Sequence, residues 1–386
     1  DGCSCCMRSS AVMARTCFGV LRACRMERDM KARKKDTPAG GRKNYFLETL
    51  LFLAVMVLTL RFCFSGQKPQ EIWAAVKSMR GMSLAGAVAL GLFFVCMEGT
   101  IMRILLGAAG GKSGLLTCIS YSFLGFFYSG ITPSATGGQP MQLYEMKRDG
   151  NSVSSSTVVL MVTAVCYKLV LVCIGTFLLI FQGEMLRQYL GGYFGLYLLG
   201  LFLNLAITLV VTGMIVLPQW IIAWADIFDR LFVKLHLWKA SGSAGRQEKV
   251  RCFVQEYHRA VLFLKEHPGR LAAAFSLTFV QRNSAFVITW LVYCGMGLFG
   301  TNLWSVVFLQ AAVTLAVDML PVPGAQGITE LVYRSAFAQI FIGGTLPVSM
   351  IVSRAASFYV PMAVGLATVL WRMARKAGKS EWKQAA

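Results

Sequence analysis

Apolar residues follow one another along this chain in runs of about 20, separated by shorter polar stretches. A run of that length spans the hydrocarbon core of a bilayer as an α-helix. The pattern therefore predicts an all-α polytopic membrane protein with about six full spans and two re-entrant hairpins. The predicted spans are Tyr45–Phe64, Met82–Met102, Ser156–Phe181, Tyr193–Leu217, Leu271–Tyr293 and Leu346–Trp371.

Two helix-breaking polar runs interrupt otherwise apolar segments. ITPSATGGQP (Ile131–Pro140) follows the apolar run Leu115–Ile131, and DMLPVPGAQGITE (Asp318–Glu330) follows the apolar run from Leu303. Proline and glycine stop a helix, and unpaired backbone groups at membrane depth persist only where protein buries them or water fills a cavity. Paired interruptions of this kind are typical of transporters built from repeats, with the binding site between the repeats. A pair of structural kinks is the alternative interpretation.

Positive charge is concentrated outside the apolar runs. The chain has 38 Lys and Arg against 18 Asp and Glu, and 25 of the 38 fall in 1–44, 218–270 and 372–386. Basic residues beside spans accumulate on the cytoplasmic side, so both termini and the central loop are predicted to be cytoplasmic. A basic face against anionic lipid accounts for this distribution, and no nucleic-acid partner is predicted.

The same charge bias predicts how the two breaks enter the membrane. If Leu115–Ile131 were an ordinary span, the basic central loop would lie outside, so 113–150 is predicted to enter and leave on the cytoplasmic side. Trp304–Gly343 then enters from the opposite face, which gives an inverted repeat. The predicted domains are a basic N-terminal segment (1–44), a transmembrane domain (45–371) and a basic tail (372–386). Within the transmembrane domain lie repeat one (45–181), repeat two (193–371) and a cytoplasmic loop (218–270).

Three shorter predictions concern the segments between the spans. Gly183–Gly192 is predicted to be a short outer loop, and RQEKVRCFVQEYHRAVLFLKEH in the central loop is predicted to be an amphipathic helix. After each break the chain is predicted to restart as a half-helix. Pro140 suits the first helical position before Met141–Lys147, and Gly327 precedes Ile328–Phe341. Such N-termini favour an anion such as a lipid phosphate.

Several charged residues fall inside the apolar segments, where each costs about 2.5 to 3.5 kcal/mol near a helix centre unless it finds a partner or a cavity. Lys168, Arg282 and Arg354 are predicted to face a substrate phosphate, and Asp318 and Glu330 are placed to pair with them. Buried ion pairs that hold helices together are the equally weighted alternative. Glu330 is the strongest single candidate, because a carboxylate in the first turn both caps the half-helix and bridges to a cation.

No catalytic motif is present in the sequence. It has no GxSxG, P-loop or HExxH pattern, and its cysteines and histidines lack the spacing of a zinc site. We therefore expect no catalytic residues, no metal and no cofactor.

The two breaks carry a resemblance to a known family. SGITPSATGGQPMQLYEMKRDG and, in the second half, LPVPGAQGITE resemble the lysylphosphatidylglycerol synthase transmembrane region family, over Tyr45 to Trp371. By position, the resemblance assigns the first family motif to Pro133, Gly137, Gly138 and Gln139. It assigns the second to Pro321, Pro323, Gly324, Gly327 and Glu330. Many members carry an Arg and an acidic residue where this chain has Tyr167 and Lys168.

The resemblance implies an integral protein of the bacterial plasma membrane that translocates aminoacylated phosphatidylglycerol and so protects against cationic antimicrobial peptides. Full-length synthases continue into a soluble acyltransferase domain, whereas this sequence ends at Ala386, so we expect the stand-alone flippase-like domain. The expected function is a lipid flippase or transporter. The alternatives are a phosphatidylglycerol lysyltransferase and a membrane scaffold for a separate transferase. The expected partners are membrane phospholipids, with a separate aminoacyltransferase or glycosyltransferase as a further candidate.

Overall fold

A computed structural model describes residues 79–132, 135–217, 243–320, 327–342 and 344–385, with isolated positions within 70–77 and 219–230. These residues belong to the larger of two compact units, Leu58–Ala386. Helices dominate the described part of the chain. They are α1 (Gly81–Ala108), α2 (Leu115–Ile131), α3 (Gly138–Arg148), α4 (Val153–Phe181), α5 (Gly183–Leu190), α6 (Phe194–Val216), α7 (Ser243–Lys265), α8 (Pro268–Gly295), α9 (Leu303–Val317), α10 (Ile328–Phe337), α11 (Leu346–Arg354) and α12 (Val360–Ala385).

Helices long and apolar enough to cross a membrane confirm the predicted all-α polytopic class. Five such segments occur in the described residues: Gly81–Ala108, Val153–Phe181, Gly183–Val216, Pro268–Gly295 and Leu346–Arg375. The predicted first span, Tyr45–Phe64, lies outside the described residues. Large apolar side chains that are exposed on the bundle surface, including Phe177, Phe181, Phe202 and Leu209, suit contact with lipid tails.

An antiparallel pair, α1 and α8, lies at the centre of the bundle. The Arg80 N–H at the start of α1 donates to the Gly295 carbonyl at the end of α8, at 3.0 Å. Halfway along, the Gln281 amide donates to the Phe94 carbonyl at 2.7 Å. Because the helices run in opposite directions, the segments that follow them begin at opposite ends of the bundle.

The segment after α1 turns back to the end where it began, as a re-entrant hairpin does. This segment, hairpin 1, consists of α2 and α3, and its two ends are joined by an Asn151 amide that donates to the Ser113 hydroxyl at 3.0 Å. The prediction for the start of its second helix was wrong by two residues. The helix begins at Gly138, because the Gly137 N–H is already bound by the Thr132 hydroxyl at 2.8 Å, and Pro140 occupies the third position.

The segment after α8, hairpin 2, consists of α9 and α10 and begins at the opposite end of the bundle. Its ends meet at Tyr293, whose hydroxyl accepts from the Thr301 N–H at 3.0 Å and whose ring lies 5.5 Å from that of Phe341. The predicted half-helix begins at Ile328 as expected, but it ends at Phe337, four residues earlier than predicted.

The structure agrees with the prediction for one of two connecting segments and differs from it for the other. Gly183–Gly192 was predicted to be an outer loop, but it is helical: it forms α5 and a short 3-10 turn, and Leu186 and Leu190 of α5 are buried in the core around hairpin 2. Its location on the outer side stays a prediction. The predicted amphipathic helix of the central loop is confirmed as α7. Its apolar face, including Tyr257 and Val261, is buried in a cluster with residues of α1, α2 and α4.

Each central helix packs against the hairpin that follows it, α1 against α2 and α8 against α9. The helix after each hairpin also contacts the other half, because α4 touches α8 and the turn between α11 and α12 touches α1. The assignment of 45–181 and 193–371 as inverted repeats stays a prediction, since 45–69 lie outside the described residues.

Candidate functional site

A half-buried ion pair joins the two halves of the bundle. Lys168 on α4 binds Asp318, the first residue of the second break, and the Tyr167 hydroxyl donates to the other carboxylate oxygen of Asp318 at 2.9 Å. Two consecutive residues of α4 thus bind the same carboxylate, one through each of its oxygens. The pairing that the sequence predicted for Asp318 with a buried cation is therefore present.

Arg282 lies beside this pair and is held by aromatic rings. Its side chain is on the buried face of α8, 5% exposed, and its guanidinium carbon is 3.7 Å from the ring centre of Tyr167 and 4.4 Å from that of Phe94. Stacking on two rings stabilises a guanidinium without neutralising it. The Arg282 Nε is buried and has no hydrogen-bond partner among the described residues.

Glu98 and Gln142 complete this site from the side of hairpin 1. The Gln142 amide on α3 donates to Glu98 on α1 at 3.0 Å, and Glu98 is close enough to Arg282 for their charges to interact. Gly125 makes this contact possible, since a Cβ there would lie 2.0 Å from the Gln142 amide nitrogen. We call these residues the central cluster: Glu98, Gln142, Tyr167, Lys168, Arg282 and Asp318.

The central cluster includes three residues that were not among the predicted site residues: Glu98, Gln142 and Tyr167. The family motif assigned Gln139 to the site, but Gln139 is exposed, whereas Gln142, one turn later, is 4% exposed. Glu98 was visible as a carboxylate within an apolar run, and that was its only sequence signal. Which glutamine of QPMQ faces inward depends on the rotation of α3, which sequence alone does not give.

A second ion pair lies at the start of α10. Arg354 Nε is 3.2 Å from Glu330 Oε1, and the other oxygen of Glu330 accepts from the Gly327 N–H. Gly327 has φ of +81°, a conformation that favours glycine, and this lets the chain enter the helix at that point. Glu330 thus caps the half-helix and binds a cation, as predicted from its position in the first turn.

The remaining predicted residues divide into two groups. Gly137 and Gly138 lie where α3 meets α2, and a Cβ at Gly138 would be 2.0 Å from the Ser129 hydroxyl and 2.7 Å from the Gly125 carbonyl oxygen. Their visible role is close packing within hairpin 1. The other group lies outside the described residues: Pro133, Pro321, Pro323 and Gly324.

A third polar cluster, which sequence analysis missed, ties α12 to hairpin 1. Arg372 Nε donates to Glu145 at 2.8 Å, and its two terminal nitrogens donate to Ser120 and Asp149, each at 2.6 Å. The Tyr121 hydroxyl also donates to Asp149, at 2.7 Å. Arg372 was predicted only as part of the basic tail, although it is 8% exposed. Every one of its nitrogens is occupied, so this cluster is a structural clamp.

The environment of Asp149 changes its acidity. Desolvation by burial is the largest single effect and raises the pKa, but hydrogen bonds from Tyr121 and Arg372, together with the charges of Arg372 and Arg148, outweigh it. The pKa of Asp149 is therefore below its ordinary value, and the carboxylate is the favoured form.

The described residues contain no group of three His, Cys, Asp or Glu side chains that could hold a metal ion. The functional groups of the central cluster are two cations, two carboxylates, an amide and a phenol. Their formal charges cancel: Lys168 is paired with Asp318, and Arg282 lies close to Glu98.

Comparison with known proteins gives one family. The model of the lysylphosphatidylglycerol synthase TM region matches residues 46–365, which include the central cluster, both hairpins and the Glu330–Arg354 pair. No curated protein matches this chain.

Proposed function

We propose, from the premise that this chain belongs to the lysylphosphatidylglycerol synthase TM region family, that it is a lipid flippase or transporter for anionic or aminoacylated phospholipids such as lysylphosphatidylglycerol. Family membership links this membrane protein to lysylphosphatidylglycerol metabolism and to membrane phospholipids. The transport activity, the identity of the lipid and the location in the bacterial plasma membrane are proposals that go beyond family membership. We also propose that both termini face the cytoplasm.

Arg282 is the observation that carries the proposal. A guanidinium buried in a bundle of spans normally pairs with a carboxylate or lies in a water-filled cavity. None of the ion pairs formed within the described residues includes Arg282, and its Nε lacks a hydrogen-bond partner. A lipid phosphate would supply the missing acceptor for Arg282 Nε, in the charge-assisted geometry that arginine favours.

The headgroup of lysylphosphatidylglycerol matches the mixed charge of the central cluster. It carries one anionic phosphate and two lysyl amines that are protonated at neutral pH. Arg282 suits the phosphate, and Glu98 is a carboxylate close to Arg282 that suits an ammonium group. Phosphatidylglycerol offers the phosphate alone, so it would use Arg282 without Glu98.

The position of the cluster supports movement of the bound lipid from one side of the membrane to the other. Its residues come from α1, hairpin 1 and α4 in the first half of the chain and from α8 and the end of α9 in the second half. Because hairpins 1 and 2 begin at opposite ends of the bundle, a site between them can be reached from either end if the packing around it changes. The Lys168–Asp318 pair links the two sides and is the contact that such a change would break.

The lysyltransferase alternative finds no comparable support in the described residues. The carboxylates of the central cluster bind Lys168, Tyr167 and Gln142, and none of them contacts a histidine. General acid–base transfer of an aminoacyl group needs a positioned proton carrier next to the nucleophile.

A reconstituted flippase assay with fluorescent lipids tests the proposal. We expect Arg282→Gln to slow the movement of lysylphosphatidylglycerol and phosphatidylglycerol by at least about tenfold, since a hydrogen bond to a charged group contributes about 1.5 to 3 kcal/mol. The matched control is Arg80→Gln, because Arg80 also stacks on a ring, that of Phe299 at 5.0 Å, but is exposed and remote from the cluster. A well-folded Arg282→Gln protein with wild-type rates and wild-type lipid preference would contradict the proposal.

The Glu330–Arg354 pair gives a second arm of the same assay. Glu330→Gln keeps an oxygen that caps α10 but leaves the Arg354 charge without this carboxylate, so we expect normal folding and altered transport. Arg354→Ala should weaken the preference for anionic over zwitterionic lipids. If both variants fold and transport as the wild type does, this pair serves only to hold α10 against α11.

A further inference from the structure

A groove on the surface of the bundle lies at the end where hairpin 1 begins. It has a volume of about 470 Å³, is open to the outside, and is lined by Thr100, Arg103, Ile104, Gly107, Leu115 and Arg270. Its lining positions on α1 follow the spacing of one helical face. Glu98, two residues before Thr100, therefore faces another side of α1, toward Gln142 and the central cluster. The groove is a separate site.

Two positive charges line the groove. Arg103 and Arg270 are both exposed, and neither takes part in an ion pair formed within the described residues. A Cβ at Gly107 would lie 3.6 Å from Arg270 Nη1, so this guanidinium lies against α1 one turn after Arg103. One turn is about 5.4 Å along the axis, a separation that a single phosphate group can bridge with two of its oxygens.

Most of the remaining lining is apolar. Ile104 and Leu115 form part of the wall, and Leu116 beside it is 82% exposed. Two guanidiniums next to a hydrocarbon surface match a molecule that carries a phosphate and an acyl chain together. A free phosphate would leave this hydrocarbon surface uncovered.

We propose that the groove binds an anionic phospholipid of the surrounding leaflet, with its phosphate between Arg103 and Arg270 and an acyl chain along Ile104, Leu115 and Leu116. The site is independent of the proposed transport function, because it requires only binding. Phosphatidylglycerol is the simplest member of this chemical class, whereas phosphatidylcholine carries a choline cation that two arginines would repel.

Native mass spectrometry of the purified full chain in detergent, titrated with phosphatidylglycerol or phosphatidylcholine, tests this inference. We expect Arg103→Ala and Arg270→Ala each to weaken retention of phosphatidylglycerol by about tenfold, and the double variant to hold one lipid fewer per chain. Arg251→Ala is the matched control, since Arg251 is an exposed arginine on α7 that does not line the groove.

Three results would overturn the inference. They are unchanged retention in the double variant, equal retention of phosphatidylcholine and phosphatidylglycerol, and equal weakening by Arg251→Ala, which would mean diffuse attraction to a basic surface. Arg282→Gln separates this inference from the transport proposal. It should leave the lipid of the groove in place, so a transport defect with normal retention in the groove, or the reverse, assigns the failure to one site.

Discussion

Arg372→Ala should destabilise the protein more than Arg148→Ala, which removes a more exposed cation from the same carboxylate. The guanidinium is 8% exposed and donates to Ser120, Glu145 and Asp149. Its removal takes away one of the cations that bind Glu145, a carboxylate that is 3% exposed and also binds Arg148. Breaking a buried pair by removing one partner costs about 3 to 5 kcal/mol, because the other charge stays buried. We therefore expect a loss of about 3 to 5 kcal/mol in the free energy of unfolding.

Arg148→Ala is the internal control for this prediction. Arg148 binds the same carboxylate, but its side chain is 29% exposed, and exposed pairs contribute about 0 to 1 kcal/mol. The assay is unfolding in mixed micelles of a mild detergent and dodecyl sulfate, followed by tryptophan fluorescence. Equal losses in the two variants, or a loss below about 1 kcal/mol for Arg372→Ala, would refute the assignment of this cluster as a buried clamp.

Two further predictions concern packing and pH. Gly91→Ala should destabilise the fold by about 1 to 3 kcal/mol or more, because its Cβ would lie 2.0 Å from the Ala356 carbonyl oxygen. Gly86→Ala, whose Cβ would meet only the Leu291 side chain at 3.3 Å, should be close to neutral in the same unfolding assay. The lowered pKa of Asp149 predicts that its stabilising contribution is complete above its ordinary pKa of about 3.9 and is lost as pH falls through the lower pKa of the folded state. The difference in unfolding free energy between the wild type and Asp149→Asn should therefore be constant between about pH 5 and 7 and should shrink below about pH 4. A difference that already changes between about pH 5 and 7 would contradict the lowered pKa.

The elements of this fold were predictable because each depends on local sequence. Apolar runs gave the long helices, and Gly327 with Glu330 three residues later gave the start of α10. Charge in an apolar context also predicted that Asp318 would pair with a buried cation. These features require only composition, spacing and the cost of an unpaired charge.

The parts that were missed depend on how helices rotate against one another. The inward position of Gln142 instead of Gln139 follows from close packing of α3 on Gly125. The stacking of Arg282 on Phe94 and Tyr167 joins three helices that are far apart in the chain. From sequence alone, Arg372 is one cation of a basic tail. Its contact with Glu145 is visible only once α12 is packed against hairpin 1. No periodicity within one segment contains this information.

The π-helical turn Ala355–Tyr359, between α11 and α12, changes which side of the last helix its arginines face. Arg354 and Arg372 are 18 residues apart, about five turns, so a regular α-helix would project both from the same side. A π turn takes in an extra residue and turns everything after it by roughly 100°. As a result, the helical segment formed by α11, the π turn and α12 places Arg354 against Glu330 of hairpin 2 and Arg372 against Glu145 of hairpin 1. A rotation of this helical segment about its axis would act on hairpin 1 and hairpin 2 together.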